Sequence, residues 1–254
     1  MKKIKVGIVN YLNTRPLIYG IERSPIMDRI ELIGNYPSNI AASLTSGSID
    51  IGLVPVAVLP ELEEKFIVSD YCISCFGEVA SVCIFSEVPM EEIEEIYLDY
   101  QSRTSVELAK ILLREYWKTT PILTPAPKDF IDRIGGKKAA VVIGDRALRL
   151  QSSASYIYDL GEAWKVHTGL PFVFAVWVGR NNPGASFIRE FNAANGAGFD
   201  RLDEIIAAEE YPYYALDHYY QENIQYQLSP AKFEAMELFW EKIRVGEVVT
   251  VQVP

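Results

Sequence analysis

The sequence predicts an α/β protein built around a parallel sheet, and three observations carry that expectation. Short apolar runs alternate with segments that have helix-start chemistry, the runs end in polar or glycine turns, and two longer apolar runs bracket a central block of the same alternating kind. At 254 residues with 49% apolar content the chain can bury a substantial core, as one large domain or two modest lobes.

Ile4 to Val9 reads as the first strand, Thr14 to Ile21 as a helix and Ile30 to Gly34 as a second strand. Ser38 has the position of an N-cap for a helix over Asn39 to Ser46, with Gly47 as its terminator. Ile49 to Val54 is a buried strand, and Pro55 opens a short helix. This βαβαβ order places ligands at the carboxyl ends of the strands.

Val79 to Phe85 is the first long apolar strand and runs into an acidic linker, Glu87 to Glu95. A new unit follows: a strand at Ile96 to Leu98, a turn at Asp99 to Arg103 and a helix from Ser105 to about Lys118. Ala139 to Ile143 is a further strand, ending in Gly144-Asp145-Arg146 before a short helix to Leu150. Leu170 to Val178 is the second long strand, and the remainder is mostly helical, with an amphipathic Ala231 to Ile243. The two long strands suggest two lobes joined by crossings near Ile84 to Ser86 and near Ala175 to Gly179.

The net charge of -10 leaves no basic stripe to displace counterions from a phosphate backbone, so a nucleic-acid partner is not expected. An anionic small molecule remains compatible, since helix termini and local arginines act at short range. Two early lysines imitate a signal peptide, but the apolar run stops at Val9 without a small-residue cleavage site, and no run reaches the ~18 residues of a membrane span. A cytoplasmic protein without membrane residence is expected. Cys72 and Cys75 have the spacing of a redox or zinc pair but lack a second pair, so buried thiols, with Cys83, are the expectation. Walker A, GxGxxG, HExxH and GxSxG motifs are all missing from the sequence.

The polar turns at strand ends supply the candidate site residues, each with an ordinary structural alternative. Asn13, after the first strand, either orients a ligand or satisfies turn amides. Ser102, Thr104 and Ser105 gather hydroxyls at a helix start, where Thr104 and Glu107 fit a capping box; such starts bind carboxylates or merely cap. Asp145 either handles a proton or a substrate hydroxyl, or caps the helix after it, and these roles are compatible. Ser81 alternates with buried valines, and periodicity does not decide whether it faces a ligand. Trp164 and Leu170 to Phe174 supply an apolar wall or core packing.

Taken together, Val9 to Leu17 (VNYLNTRPL), Gly47 to Pro55 (GSIDIGLVP), Gly77 to Val82 (GEVASV), Ser102 to Leu108 (SRTSVEL), Ile143 to Leu148 (IGDRAL) and Thr168 to Phe172 (TGLPF) resemble the chorismate dehydratases of the futalosine route to menaquinone. The segments stand in family order along essentially the whole chain. The resemblance implies a type II periplasmic-binding-protein-like fold, with one lobe from residues 1–84 and 177–254, a second from 85–176, and a ligand cleft between the two lobes. It further implies conversion of chorismate to 3-[(1-carboxyvinyl)oxy]benzoate and water, with no cofactor and no metal.

Asn13 matches the family's important asparagine, and Asp145 is the second expected catalytic residue. Arg15, Ser38, Pro55, Val56, Ser81, Ser102, Thr104, Ser105, Gly144 and Phe172 are the expected substrate contacts. The sister 1,4-dihydroxy-6-naphthoate synthases carry a histidine base in the loop matching Ile143 to Leu148, where this chain has Asp145. That enzyme and a non-catalytic binding protein for a small carboxylate are the alternatives; oligomeric state is left open.

Overall fold

The computed structural model describes residues 3–63 and 65–251, so the outermost positions of the expected lobes, 1–2 and 252–254, lie outside the described residues. The chain forms two compact units: residues 1–74 with 173–228, and 75–172 with 229–254.

The first unit holds a six-stranded mixed sheet. Its strands are β1 (Ile4–Val9), β2 (Ile30–Asn35), β3 (Ile51–Pro55), β4 (Phe66–Cys75), β10 (Phe172–Gly179) and β11 (Gln225–Gln227), in the order β11-β4-β10-β3-β1-β2. The expected parallel core is present: β1 pairs in parallel with β2 from Ile4↔Ile30 to Val9↔Asn35, and with β3 at Val6↔Ile51. β10 runs antiparallel to β3, with Ala175 opposite Pro55, which makes the sheet mixed.

Helix α1 (Arg15–Glu22) takes Pro16 in its first turn, where a missing N–H is harmless, and buries Leu17, Ile18 and Ile21 on one face. Helix α2 (Pro37–Ser46) ends at Gly47, which adopts φ 77 as the expected terminator. Close packing of α2 against the sheet explains two strand glycines. A Cβ on Gly7 would lie 3.0 Å from Ile40 Cδ1 of that helix, and one on Gly52 would lie 2.9 Å from Ile40 Cγ2.

The second unit holds β5 (Val82–Ser86), β6 (Glu95–Leu98), β7 (Ile122–Pro125), β8 (Lys138–Ile143) and β9 (Tyr156–Asp159), in the order β7-β6-β8-β5-β9. β6 and β8 are parallel, whereas β5 runs antiparallel to β8, with Val82 opposite Ile143. Around them lie α3 (Arg103–Leu112), α4 (Asp145–Leu150) and α5 (Leu160–Thr168). The remaining helices, α6 (Ala185–Ala197), α7 (Leu202–Ala208), α8 (Leu216–His218) and α9 (Pro230–Val251), complete the two units. Cys83, Phe85, Tyr97, Phe130, Ala140 and Val142 form a buried core in the second sheet.

Several expectations differ from the structure. The segment Val79 to Ser81 is not strand: the chain turns there, and β5 begins at Val82. Helix α3 starts at Arg103, with Ser102 as its N-cap, because the Ser102 hydroxyl accepts the Ser105 N–H at 3.1 Å. It passes into a π-helical turn over Leu113–Trp117 and stops at Lys118, which is left-handed at φ 57. The chain passes between the units at 74/75, 172/173 and 228/229, so residues 229–251 group with the second unit, although the sequence reading gave them to the first lobe. The reason is aromatic packing: Phe239 of α9 meets Phe172 edge-on at 5.0 Å and Trp164 at 6.2 Å, and all three rings are buried.

Candidate functional site

In the first unit, the parallel strands deliver five expected residues to one sheet edge. The carboxyl ends of β1, β2 and β3 lead into Asn13 and Arg15, Ser38, and Pro55 with Val56, respectively. After β1, the Thr14 hydroxyl donates to the carbonyls of Val9 (2.6 Å) and Tyr11 (2.8 Å), and the Thr14 N–H returns to Tyr11 at 3.1 Å. These bonds wind Leu12–Thr14 into a short 3₁₀ turn and leave Asn13 partly exposed. Arg15 pairs with Glu209 at 2.9 Å.

Ser38 is not the N-cap expected from its position. Tyr36 holds that place, and Asn35 Oδ1 accepts from both the Tyr36 N–H and the Asn39 side-chain amide, each at 2.8 Å. Pro37 fixes the first helical residue, which moves the start of α2 forward and puts Ser38 in the first turn. Pro55 and Val56 are buried.

In the second unit, the parallel pairing of β6 with β8 and the antiparallel pairing of β5 with β8 bring three polar turns to one edge. These turns are Val79–Ser81 before β5, Asp99–Ser105 after β6 and Gly144–Asp145 after β8. The Gly144 N–H donates to the Ser81 carbonyl at 2.8 Å, joining two of them. Gly144, at φ 65, takes the N-cap place of α4, so Asp145 is the first helical residue rather than the cap, and it stays partly exposed. Ser102, Thr104 and Ser105 are all at least nine-tenths buried, and the Ser102 and Ser105 hydroxyls lie 2.9 Å apart.

Asp99 is the keystone of this edge, and the sequence reading assigned it only to a turn. Its carboxylate accepts from the backbone N–H groups of Gln101 (3.0 Å) and Ile143 (3.3 Å) and from Arg146 at 2.6 Å. Arg146 also donates to Gln101 Oε1 at 2.8 Å. Burial pushes the Asp99 carboxyl up, and the opposing pull of Arg146 and the two amides does not fully offset it. One carboxylate thereby pins the ends of β6 and β8 to the start of α4.

A second carboxylate, Asp159, caps α5 by accepting from the Gly161 and Glu162 N–H groups at 2.8 and 3.0 Å. A sequence signal was present, since Asp159-Leu160-Gly161-Glu162 has the spacing of a capping box. Phe172 is 1% exposed and enclosed by Trp164 and Phe239, so its ring serves packing. The three cysteines are buried and form no disulfide, and among the described residues no group of three or more His, Cys, Asp or Glu is arranged to hold a metal. Burial also pushes the Cys75 and Cys83 thiols well up, which suppresses the reactive thiolate.

A hollow of about 860 Å³ on the first unit involves none of the expected residues. Its charged lining is already paired, with Tyr19 and Arg201 on Glu204 at 2.5 and 2.8 Å and Glu190 held by Arg29 at 2.5 Å.

Residues 4–244 match the family described as menaquinone biosynthesis. The chain belongs to the menaquinone-biosynthesis family. A relative of this family member is the chorismate dehydratase of Thermus thermophilus, 26% identical over 235 residues and covering 82% of each protein. Among solved structures, a protein of Archaeoglobus fulgidus aligns with a TM-score of 0.73 at 13% identity, covering 97% of this chain and 98% of that one. The periplasmic aliphatic sulphonate binding protein of Escherichia coli aligns with a TM-score of 0.63 at 12% identity, covering 99% and 94%. The chain therefore has the periplasmic-binding-protein fold, as the family resemblance implied. No helix among its described residues is long and apolar enough to cross a membrane.

Proposed function

We propose that this chain is a chorismate dehydratase, a lyase that converts chorismate into 3-[(1-carboxyvinyl)oxy]benzoate and water in menaquinone synthesis. The observation that carries the reading is the alignment with a protein of that name along 82% of both chains, within a family match over residues 4–244. The polar turns at the strand ends support it, because they supply the donors that a dianionic substrate requires.

The reaction removes the proton on C3 and hydroxide from C4 of the ring. The ring carboxylate acidifies the C3 proton through the diene, and formation of the aromatic ring drives the elimination. In a stepwise course, backbone amides and hydroxyls of the Ser102–Ser105 helix start hold the ring carboxylate while negative charge develops on it. Asn13 orients the substrate or polarises its ring substituents; an amide is too weak a base to take the proton. Two acceptors compete for that role, Asp145 and the substrate's own enolpyruvyl carboxylate, which the ether link holds near C3.

The test is to incubate the purified protein with chorismate, without added cofactor, and follow masses over time. A product lighter than chorismate by one water supports the reading. Binding of chorismate without its loss supports a non-catalytic binding protein instead. Turnover of cyclic dehypoxanthine futalosine in place of chorismate reassigns the chain to the sister naphthoate synthase.

A further inference from the structure

We propose that Asp159 is a positioning residue for this reaction, holding Val79–Ser81 in a strained turn that sets both Ser81 and the Gly144–Asp145 junction. The proposal rests on the reading of the chain as a chorismate dehydratase. Its basis is a division of hydrogen bonds that helix capping alone does not explain. Two of the four backbone amides on the Asp159 carboxylate belong to α5. The other two are the N–H groups of Val79, at 3.0 Å, and Ala80, at 2.7 Å.

Ala80 needs this support. It adopts φ 57, a left-handed conformation that is unfavourable for a residue with a Cβ. The Ser81 N–H returns to the Val79 carbonyl at 2.6 Å, closing a three-residue turn around Ala80 of the rare, strained kind. Gln151 holds the other side of the same residue, its side-chain amide donating to the Ala80 carbonyl at 2.5 Å. With N–H and C=O both fixed, Ala80 has no path back to the extended conformation that periodicity predicts for this segment.

The turn then transmits its geometry. The Ser81 carbonyl accepts the Gly144 N–H at 2.8 Å, so the order of contact runs from Asp159 through Val79–Ser81 to the residue before Asp145. The start of α5 presses directly on the loop: a Cβ on Gly161 would lie 2.5 Å from the Gly77 carbonyl oxygen and 2.6 Å from Cys75 Sγ. The titratable groups facing the carboxylate are the Cys83 thiol at 3.6 Å, the Cys75 thiol and the charge of Glu78, and among the described residues no cation is one of its hydrogen-bond partners or principal influences. Burial pushes the Asp159 carboxyl up to about 6, so at neutral pH it persists as an anion neutralised by peptide dipoles.

Asp159→Asn keeps the size of the side chain but puts an NH₂ group against amide donors. Steady-state kinetics with chorismate are expected to show kcat/KM reduced by about tenfold or more, with the loss in kcat rather than in a raised KM. Adding Ala80→Gly is the decisive step, since glycine takes a positive φ without strain. The double variant D159N/A80G is expected to recover about fivefold of that loss. A capping or core role alone predicts lower stability, normal turnover of the folded protein and no recovery by glycine. Wild-type kcat/KM in D159N, or absence of recovery in D159N/A80G, overturns the proposal.

If D159N does not fold, Gln151→Ala, which removes only the bond to the Ala80 carbonyl, is read in the same way. If the wild type leaves chorismate untouched, the reading of the function fails, and hydrogen exchange then tests the turn on its own. Faster exchange of the Val79 and Ala80 amides in folded D159N supports the positioning role, and unchanged exchange overturns it.

Discussion

Replacing Asp99 with alanine strikes the point at which β6, β8 and α4 are joined. Three hydrogen bonds vanish: those from the Gln101 amide, the Ile143 amide and the Arg146 guanidinium. Each orphaned buried amide costs about 1 to 2 kcal/mol. Arg146 is 27% exposed on its side chain and still holds Gln101, so it recovers solvent contact and adds only about 1 kcal/mol to the loss. Relief of the desolvated carboxylate, whose pKa is raised by burial, works in the opposite direction. The net expectation for Asp99→Ala is about 3 kcal/mol of destabilisation.

Arg146→Ala leaves a carboxyl that is 1% exposed without its cation, and is expected to cost about 2 kcal/mol. Because both changes break the same ion pair, the double variant is expected to show a coupling of about 1 to 2 kcal/mol. Urea unfolding followed by tryptophan fluorescence suits this measurement, since Trp117, Trp164 and Trp240 lie in the second unit and Trp177 in the first. A coupling below about 0.5 kcal/mol would refute the claim that this pair organises the edge.

The other expectations follow from the same geometry. Phe239→Ala removes a ring enclosed with Trp164 and Phe172 and should cost about 3 to 5 kcal/mol in urea unfolding; less than about 1 kcal/mol would mean that α9 adds little to the second unit. Burial disfavours a charged Glu115, but hydrogen bonds from Lys242, Arg114 and His167 outweigh it and hold the carboxyl at about 2. Stability from this group is thus present above pH 4.5 and lost as pH falls towards 2, and Glu115→Gln should flatten that part of the pH–stability curve while costing about 2 kcal/mol at pH 7. Asp159 has the opposite sign: with its pKa raised from 3.8 to about 6, its contribution is present below pH 3.8 and lost as pH rises through 6, so wild type should lose stability relative to Asp159→Asn across that interval. For the chemistry, Asn13→Ala should lower kcat for chorismate by about a hundredfold, and normal turnover would remove Asn13 from the mechanism. Asp145→Ala distinguishes the two proton acceptors, because near-normal activity assigns the role to the substrate's own carboxylate.

Much of the first unit was legible because its signals are local. The apolar run of β1 and the terminating Gly47 each act over a few residues, and the structure places them where the sequence does; Pro55, expected to open a helix, closes β3 instead. Misreadings arose where a distant group overrides a local pattern. Val79–Ser81 alternates like a strand, yet it turns because Asp159 and Gln151, far along the chain, hold Ala80 in a left-handed conformation. Ser38 has N-cap chemistry, but Asn35 and Pro37 take over the start of α2. The candidate turns were identifiable from their polar residues at strand ends. Asp99 with Arg146 was not, because 47 residues separate the partners and no periodicity connects them.

The late position of α9 fixes an order of events during synthesis. The first unit has all its strands once the ribosome has passed Gln227, whereas the second sheet is finished some seventy residues earlier and still lacks a helix. Until translation runs beyond Phe239, the indole of Trp164 and the ring of Phe172 have no lid from that side. A nascent chain halted shortly before that point therefore exposes an oily surface on its otherwise completed second unit.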